Sequence, residues 1–130
     1  MADSRATDTT QAGPAMDEGR LIAMFGAIDA GDWAALATCF HPEIVYERPG
    51  YEPLLGRNRV LRFYREERLV KSGAHRLEGV VLQDDRGAVW GALEGVRTDG
   101  RPISLGFADI YHFEAGTIRK RRSHFHVPAV

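Results

Sequence analysis

Apolar positions along the chain fall into two regimes, a helical one followed by an alternating one. Leu21, Met24, Phe25 and Ile28 recur at three- and four-residue spacing, with Asp17 placed to cap a helix and Gly31 placed to end it. Asp32 can cap a second, shorter helix carrying Trp33, Leu36, Ala37 and Phe40 on one side, which must end near Pro42 because proline clashes with the preceding turn. Residues 44–48 alternate as a short strand stopped by Pro49-Gly50, and 51–56 read as a loop. A third helix over about 57–69 has Val60, Phe63 and Tyr64 as its apolar stripe and Gly73 as its terminator.

From His75 onward the helical period disappears. Four strands are expected at 75–83, 88–97, 103–113 and 117–127, joined by short Gly-containing connections as consecutive antiparallel hairpins require. The pattern predicts an α+β domain over 16–130, with three N-terminal helices packed on a curved, mainly antiparallel sheet. Residues 1–15, without a large apolar side chain beyond the first Met, are expected to be a disordered tail. The sheet closes into a cone only if it bends, and Gly91, Gly95 and Gly106 are the candidate bend sites.

Composition narrows the function classes. A chain of 130 residues has room for one core, and 44% hydrophobic with 27% charged residues is the make-up of a soluble globular protein. The net charge of −1 supplies no basic field, so neither nucleic acid nor a membrane is expected as a partner. The run Arg119-Lys120-Arg121-Arg122 divides between the two faces of a strand. A single cysteine, Cys39, allows no internal disulfide, and the reading is a cytoplasmic protein. No nucleotide loop or haem signature is present in the sequence, so no cofactor is expected.

One strand carries the most pointed chemistry. Leu105, Phe107, Asp109, Tyr111 and Phe113 share a face, which sets one carboxylate among four large apolar side chains. Such a group is costly to desolvate, and it survives either with hydrogen bonds and a positive partner or with a raised pKa. Asp109 is therefore the first candidate for a catalytic acid or base, with a purely structural ion pair to an arginine as the bland alternative.

Three segments resemble the nuclear transport factor 2-like superfamily, especially its SnoaL-like polyketide cyclase and ketosteroid isomerase branches: FGAIDAGDWAALATCFHPEIVYERPG, GRNRVLRFYREER and ADIYHFEAGTIRKRRSHF. The resemblance implies a cone-shaped α+β barrel around one pocket, a small-molecule substrate and homodimerisation through the outer sheet face, to which Val80, Leu82 and Ile110 are assigned. It also implies that Asp109 moves a substrate proton, as in the cyclases, or hydrogen-bonds an enolate as a neutral acid, as in the isomerases. The fold hosts many chemistries, so the reaction does not follow from it.

Departures from those families matter. Arg48 stands where the isomerase pattern has an aspartate base, and Met24 and Phe25 stand near its expected tyrosine. The epoxide hydrolase branch needs two carboxylates bridged by an arginine, and Ser123 occupies the place of one of them. Tyr46 and Arg48 share a strand face that the resemblance turns into the cone, where Arg48 can bind an oxyanion or hold Asp109 ionised; the alternative puts Arg48 at the rim in water.

Tyr64 can aim its hydroxyl at the pocket or serve as core. His124 is expected beside Asp109 as a general acid or base, because the last two strands are hairpin neighbours; an alternating His124/His126 pair lacks a third metal ligand, and no metal is expected. Glu94 can supply a second carboxylate unless the register is slipped by one. Trp33, Trp90, Phe107, Tyr111 and Arg122 complete the expected substrate lining. His75, at the start of its strand, is assigned a capping or surface role. The leading expectation is a cofactor-independent enzyme of secondary or catabolic metabolism that moves protons beside a carbonyl. A non-catalytic binding module and an epoxide-hydrolase-like enzyme stand as alternatives.

Overall fold

The computed structural model describes residues 15–127. The expected tail at 1–15 lies outside the described residues apart from Ala15. Helix α1 (Glu18–Ala30) begins where Asp17 accepts from the Arg20 amide at 2.8 Å and ends at Gly31, whose φ of 69° is open to glycine at little cost. Asp32 then caps α2 (Trp33–Ala37) through the Ala35 amide. This helix is shorter than expected. The Cys39 carbonyl accepts from the Ile118 amide, drawing the chain onto the sheet, so Phe40 opens strand β1 (Phe40–Glu47) instead of closing the helix. Pro42 is tolerated inside β1 because the pairing to the last strand is interrupted between Phe40 and Val45, where a missing N–H loses no ladder bond.

The segment expected to be loop contains a two-residue strand, β2 (Leu54–Leu55), paired to β1. Helix α3 (Arg57–Arg62) continues as a π-helical turn, Phe63–Glu67, closed by the Arg68 amide on the Phe63 carbonyl at 2.9 Å. Strand β3 (Val70–Gln83) starts earlier than expected, so Gly73 lies within a strand and ends no helix. Strands β4 (Arg86–Arg97), β5 (Pro102–Glu114) and β6 (Thr117–Phe125) follow through tight turns.

The six strands run in the order β2-β1-β6-β5-β4-β3, and only β1 and β6 are parallel. Curvature enters through β3, whose register with β4 shifts between Val70 and Ser72 and again between Leu77 and Gly79. Gly91 and Gly95 face these irregularities: a Cβ on either would stand 2.1 Å from a β3 carbonyl oxygen, of Arg76 and Ser72 respectively. The second shift also reverses which side chains of β3 point inward. Val80 and Leu82, assigned to the outer face, pack against the core, and Val81 is exposed in their place. The helices cover the inner face of the sheet with Leu21, Met24, Phe25, Ile28, Val60 and Phe63. No helix among the described residues is long and apolar enough to cross a membrane.

Candidate active site

Strand β5 buries the face that its alternation marks, Leu105 to Phe113, with Asp109 only 1% exposed. The antiparallel pairing sets Ser123 opposite Asp109 and Arg121 opposite Tyr111, so the inward positions of β6 are polar where those of β5 are mostly apolar. Asp109 Oδ2 accepts from Arg121 Nη2 at 2.8 Å and Nε at 3.0 Å, and from the Tyr111 hydroxyl at 2.9 Å. Its Oδ1 accepts from Ser123 Oγ at 2.6 Å. Four donors thus meet about four acceptor positions on the carboxylate.

Two arms extend from this centre. Arg121 Nη1 donates to the Tyr64 hydroxyl at 2.6 Å. Ser123 Oγ lies 2.7 Å from the Tyr46 hydroxyl, and because Ser123 spends its proton on Asp109, Tyr46 is the donor there. Arg48 Nη1 donates in turn to the Tyr46 oxygen at 2.8 Å. The result is a wire, Arg48 to Tyr46 to Ser123 to Asp109, running from the cavity wall to a buried carboxylate.

Electrostatics divide the three phenols. Burial pushes the Tyr46 hydroxyl up, but the guanidiniums of Arg121 and then Arg48 outweigh it, and its pKa falls below the usual phenol value. Tyr64 and Tyr111 go the other way: burial dominates, and both are held well above it. Burial opposes the charge of Arg121, but Asp109 and the oxygens of Tyr111, Tyr46 and Tyr64 together outweigh it, so Arg121 is held firmly protonated. The Arg48 guanidinium lies near four aromatic rings, closest to Phe63 at 4.8 Å and Phe125 at 5.2 Å from the ring centroids.

Tyr46, Arg48, Tyr64, Asp109, Arg121 and Ser123 line one cavity together with Arg68, Val70, His75, Leu93, Phe107 and Phe125. Its water-sized interior is about 20 Å³, inside about 400 Å³ of atom-free space that includes the mouth. A second polar unit stands in its wall. His75 Nδ1 is 2.6 Å from Asp29 Oδ1, and the other oxygen of Asp29 accepts the His75 backbone amide at 2.8 Å. Phe25 and Phe107 bracket the imidazole at 5.0 and 5.4 Å between ring centroids. With Nδ1 engaged by a carboxylate, Nε2 has no partner among the described residues.

The family model for the SnoaL-like domain matches residues 21–121. The chain belongs to the SnoaL-like family. Solved structures agree on the fold of this SnoaL-like domain. A protein with a ketosteroid isomerase-like fold from Catenulispora acidiphila, in complex with trimethylamine, superposes with a TM-score of 0.76 at 14% identity, over 89% of this chain and 91% of that one. A protein described as a SnoaL-like polyketide cyclase from Jannaschia sp. gives 0.72 at 12% identity, over 83% of each chain. An epoxide hydrolase of the LEH-like type from M. tuberculosis gives 0.72 at 13%, over 82% of this chain and 79% of that one. A search of curated proteins finds no significant match.

Within the SnoaL-like domain, Asp109, Tyr46, Arg48, Tyr64 and Phe107 line this cavity. Tyr111 reaches the site through its hydrogen bond to Asp109, and Trp33 stacks behind the wall on Tyr64 at 6.3 Å. His124 is not beside Asp109. It pairs with Ala108, and strand alternation therefore turns it to the exposed outer face. Trp90 and Glu94 face outward for the same reason, opposite Ala108 and Ser104, and Arg122 is outside on Glu47 at 2.7 Å.

Sequence reasoning assigns Arg121 and Asp29 no place in the site, names Ser123 only as standing in for a hydrolase carboxylate, and gives His75 a capping or surface role, whereas His75 lies within β3 with its side chain in the cavity wall. Counting back from the Glu114-Ala115-Gly116 turn misses Arg121 and Ser123, because the register shifts by one residue between His112 and Phe113, and an unbroken count sets Arg122 opposite Asp109. Local sequence gives no signal for the Asp29–His75 pair, whose partners are 46 residues apart.

Proposed function

We propose that the protein is a small-molecule enzyme that moves a proton at a carbon next to a carbonyl, leading to isomerisation, cyclisation or elimination. The observation that carries this reading is the Asp29–His75 dyad in the wall of a cavity shared with Arg48 and the acidified phenol of Tyr46. Asp29 holds the proton of His75 on Nδ1, leaving a lone pair on Nε2 for the substrate. As Nε2 takes the proton, the C–H electron pair forms the enolate and negative charge collects on the carbonyl oxygen. The Arg48 guanidinium, fixed by Tyr46 and its aromatic neighbours, is the donor suited to that charge. Return of the proton at another carbon gives isomerisation, loss of a β-substituent gives elimination, and attack on a second carbonyl gives ring closure. Asp109, with four donors upon it, serves as the anchor of the wire.

The test is deuterium uptake from D2O into a panel of enolisable ketones and diketones, followed by proton NMR. The wild type is expected to exchange at least one of them, and His75→Gln to slow this by about 10²-fold or more, the usual worth of a positioned base. Exchange unchanged in His75→Gln would overturn the assignment.

A specific observation also favours a second reading, a pocket that binds without chemistry. The polar groups around Asp109 are bonded to one another, and the enclosed space is small. Binding of panel members detected by thermal shift, with no exchange in any of them, would select it. A hydrolase built on two carboxylates around one water finds less support, because Glu94 lies on the outer face. We place the enzyme in the cytoplasm, where its lone half-buried thiol, Cys39, suits reducing conditions, and we assign it a homodimer joined through the outer face of the sheet, where Val81, Trp90 and Ile110 are exposed.

A further inference from the structure

Arg68 and Arg121 both line the cavity, and the Asp109 carboxylate there is already taken by Arg121 with two hydrogen bonds. Asp29 stands behind His75 and is engaged there through both oxygens.

Arg68 is the cation with the least to hold it. It follows the π-helical turn, where its backbone amide bonds to Phe63 and its side chain is directed onto two rings, with Cζ 5.8 Å from the centre of Trp33 and 5.6 Å from that of Tyr64. Among the described residues no carboxylate, carbonyl or hydroxyl accepts from its guanidinium. Burial accordingly works against its charge, and its pKa is lowered despite the nearby tyrosines. A guanidinium partly stripped of water, stacked on aromatics and without an acceptor is arranged for a planar anion that takes two parallel hydrogen bonds. Tyr64, Phe107 and Phe125 line the same cavity, and because its closed interior is only about 20 Å³, a flat apolar body against them lies toward the mouth.

We infer that the ligand of this cavity is an organic carboxylate with an aromatic or otherwise flat apolar body, and that Arg68 holds its carboxylate. The inference rests on the proposed carbonyl chemistry in that it names the class of substrate: a keto acid or an enolisable aromatic acid, held by its carboxylate at Arg68 while its carbonyl lies toward Arg48. Charge selects the ligand here, because a neutral isostere offers the guanidinium no anionic acceptor.

The experiment compares benzoate with benzamide, a neutral molecule of nearly the same shape, by titration calorimetry on the full chain at fixed ionic strength. Benzoate is expected to bind at millimolar concentration or better, and benzamide to bind at least tenfold more weakly. Arg68→Gln is expected to lower benzoate affinity on the order of tenfold to a hundredfold, the worth of a charge-assisted pair, and to leave benzamide unaffected. Arg68→Lys should restore part of the loss, since it returns the charge without the fork. Circular dichroism and thermal melting verify that the variants are folded.

Benzoate that fails to bind, benzamide that binds equally well, or full benzoate affinity in Arg68→Gln each overturns the inference. Deuterium exchange absent from the ketone panel with benzoate binding intact counts against the proton-transfer reading alone. Exchange present with benzoate unbound counts against the carboxylate alone.

Discussion

Asp109 and Arg121 bury opposite charges in contact, with 1% and 4% of their side chains exposed, and each depends on the other to remain there. Replacing Asp109 by Asn keeps the shape but leaves the guanidinium with no counter-charge, and the loss of one partner of a buried pair costs about 3–5 kcal/mol. Urea denaturation of Asp109→Asn should show a loss of that size, whereas the double change Asp109→Leu with Arg121→Met should recover most of it. A double variant as unstable as the single would mean that the pair does more than neutralise itself. Strand alternation makes Asp109 legible in the sequence, since a carboxylate among Leu105, Phe107, Tyr111 and Phe113 has few innocent explanations. Across the hairpin the inward face of β6 is not legible, because a one-residue register shift between His112 and Phe113 puts Ser123 opposite Asp109, whereas an unbroken count from the turn puts Arg122 there and turns His124 inward. His75 is not legible because its meaning depends on Asp29, which only the docking of α1 on β3 brings near.

At the scale of elements, the bends of the sheet are made by close backbone contact. At Gly91 a methyl group would overlap the Arg76 carbonyl at 2.1 Å, so Gly91→Ala must shift main chain and should cost about 1–3 kcal/mol. Gly26, exposed on α1 with nothing within 4 Å of an added methyl, provides the opposite sign: Gly26→Ala should stabilise by about 0.5–1 kcal/mol through helix propensity. Melting temperatures of the two variants check the pair, and a harmless Gly91→Ala would remove the close-contact explanation. Most element types and their order are readable from periodicity and caps. The boundaries that differ, at Phe40 and Val70, lie where tertiary pairing overrides a local signal: pairing with β6 captures Phe40 despite Pro42, and β3 runs straight through Gly73.

For the whole molecule, the outer face of the sheet is the surface that departs most from expectation for a free monomer, with Val81 at 53%, Trp90 at 41% and Ile110 at 51% exposure. If a second copy covers it, a lysine at Ile110 places like charges near the two-fold axis and separates the subunits. Sedimentation at micromolar concentration should give a dimer for the wild type and a monomer for Ile110→Lys with an unchanged circular dichroism spectrum. A monomeric wild type would sink the assignment. This face is hard to read from sequence because a single bulge, between Leu77 and Gly79, decides whether Val80 or Val81 is on it.

The hydrogen bond between Tyr46 and Ser123 joins residues 77 positions apart, across the one parallel strand pair of the sheet. Such a contact must wait for the closure of a long loop, and it belongs to the slow part of folding. During synthesis β1 and α3 leave the ribosome well before β6, so the nascent chain holds Tyr46 and Arg48 without Ser123, Arg121 or a paired Asp109. The cavity therefore comes into being with the last strand, and a chain stalled before residue 117 would carry most of the core residues and a wire with its middle missing.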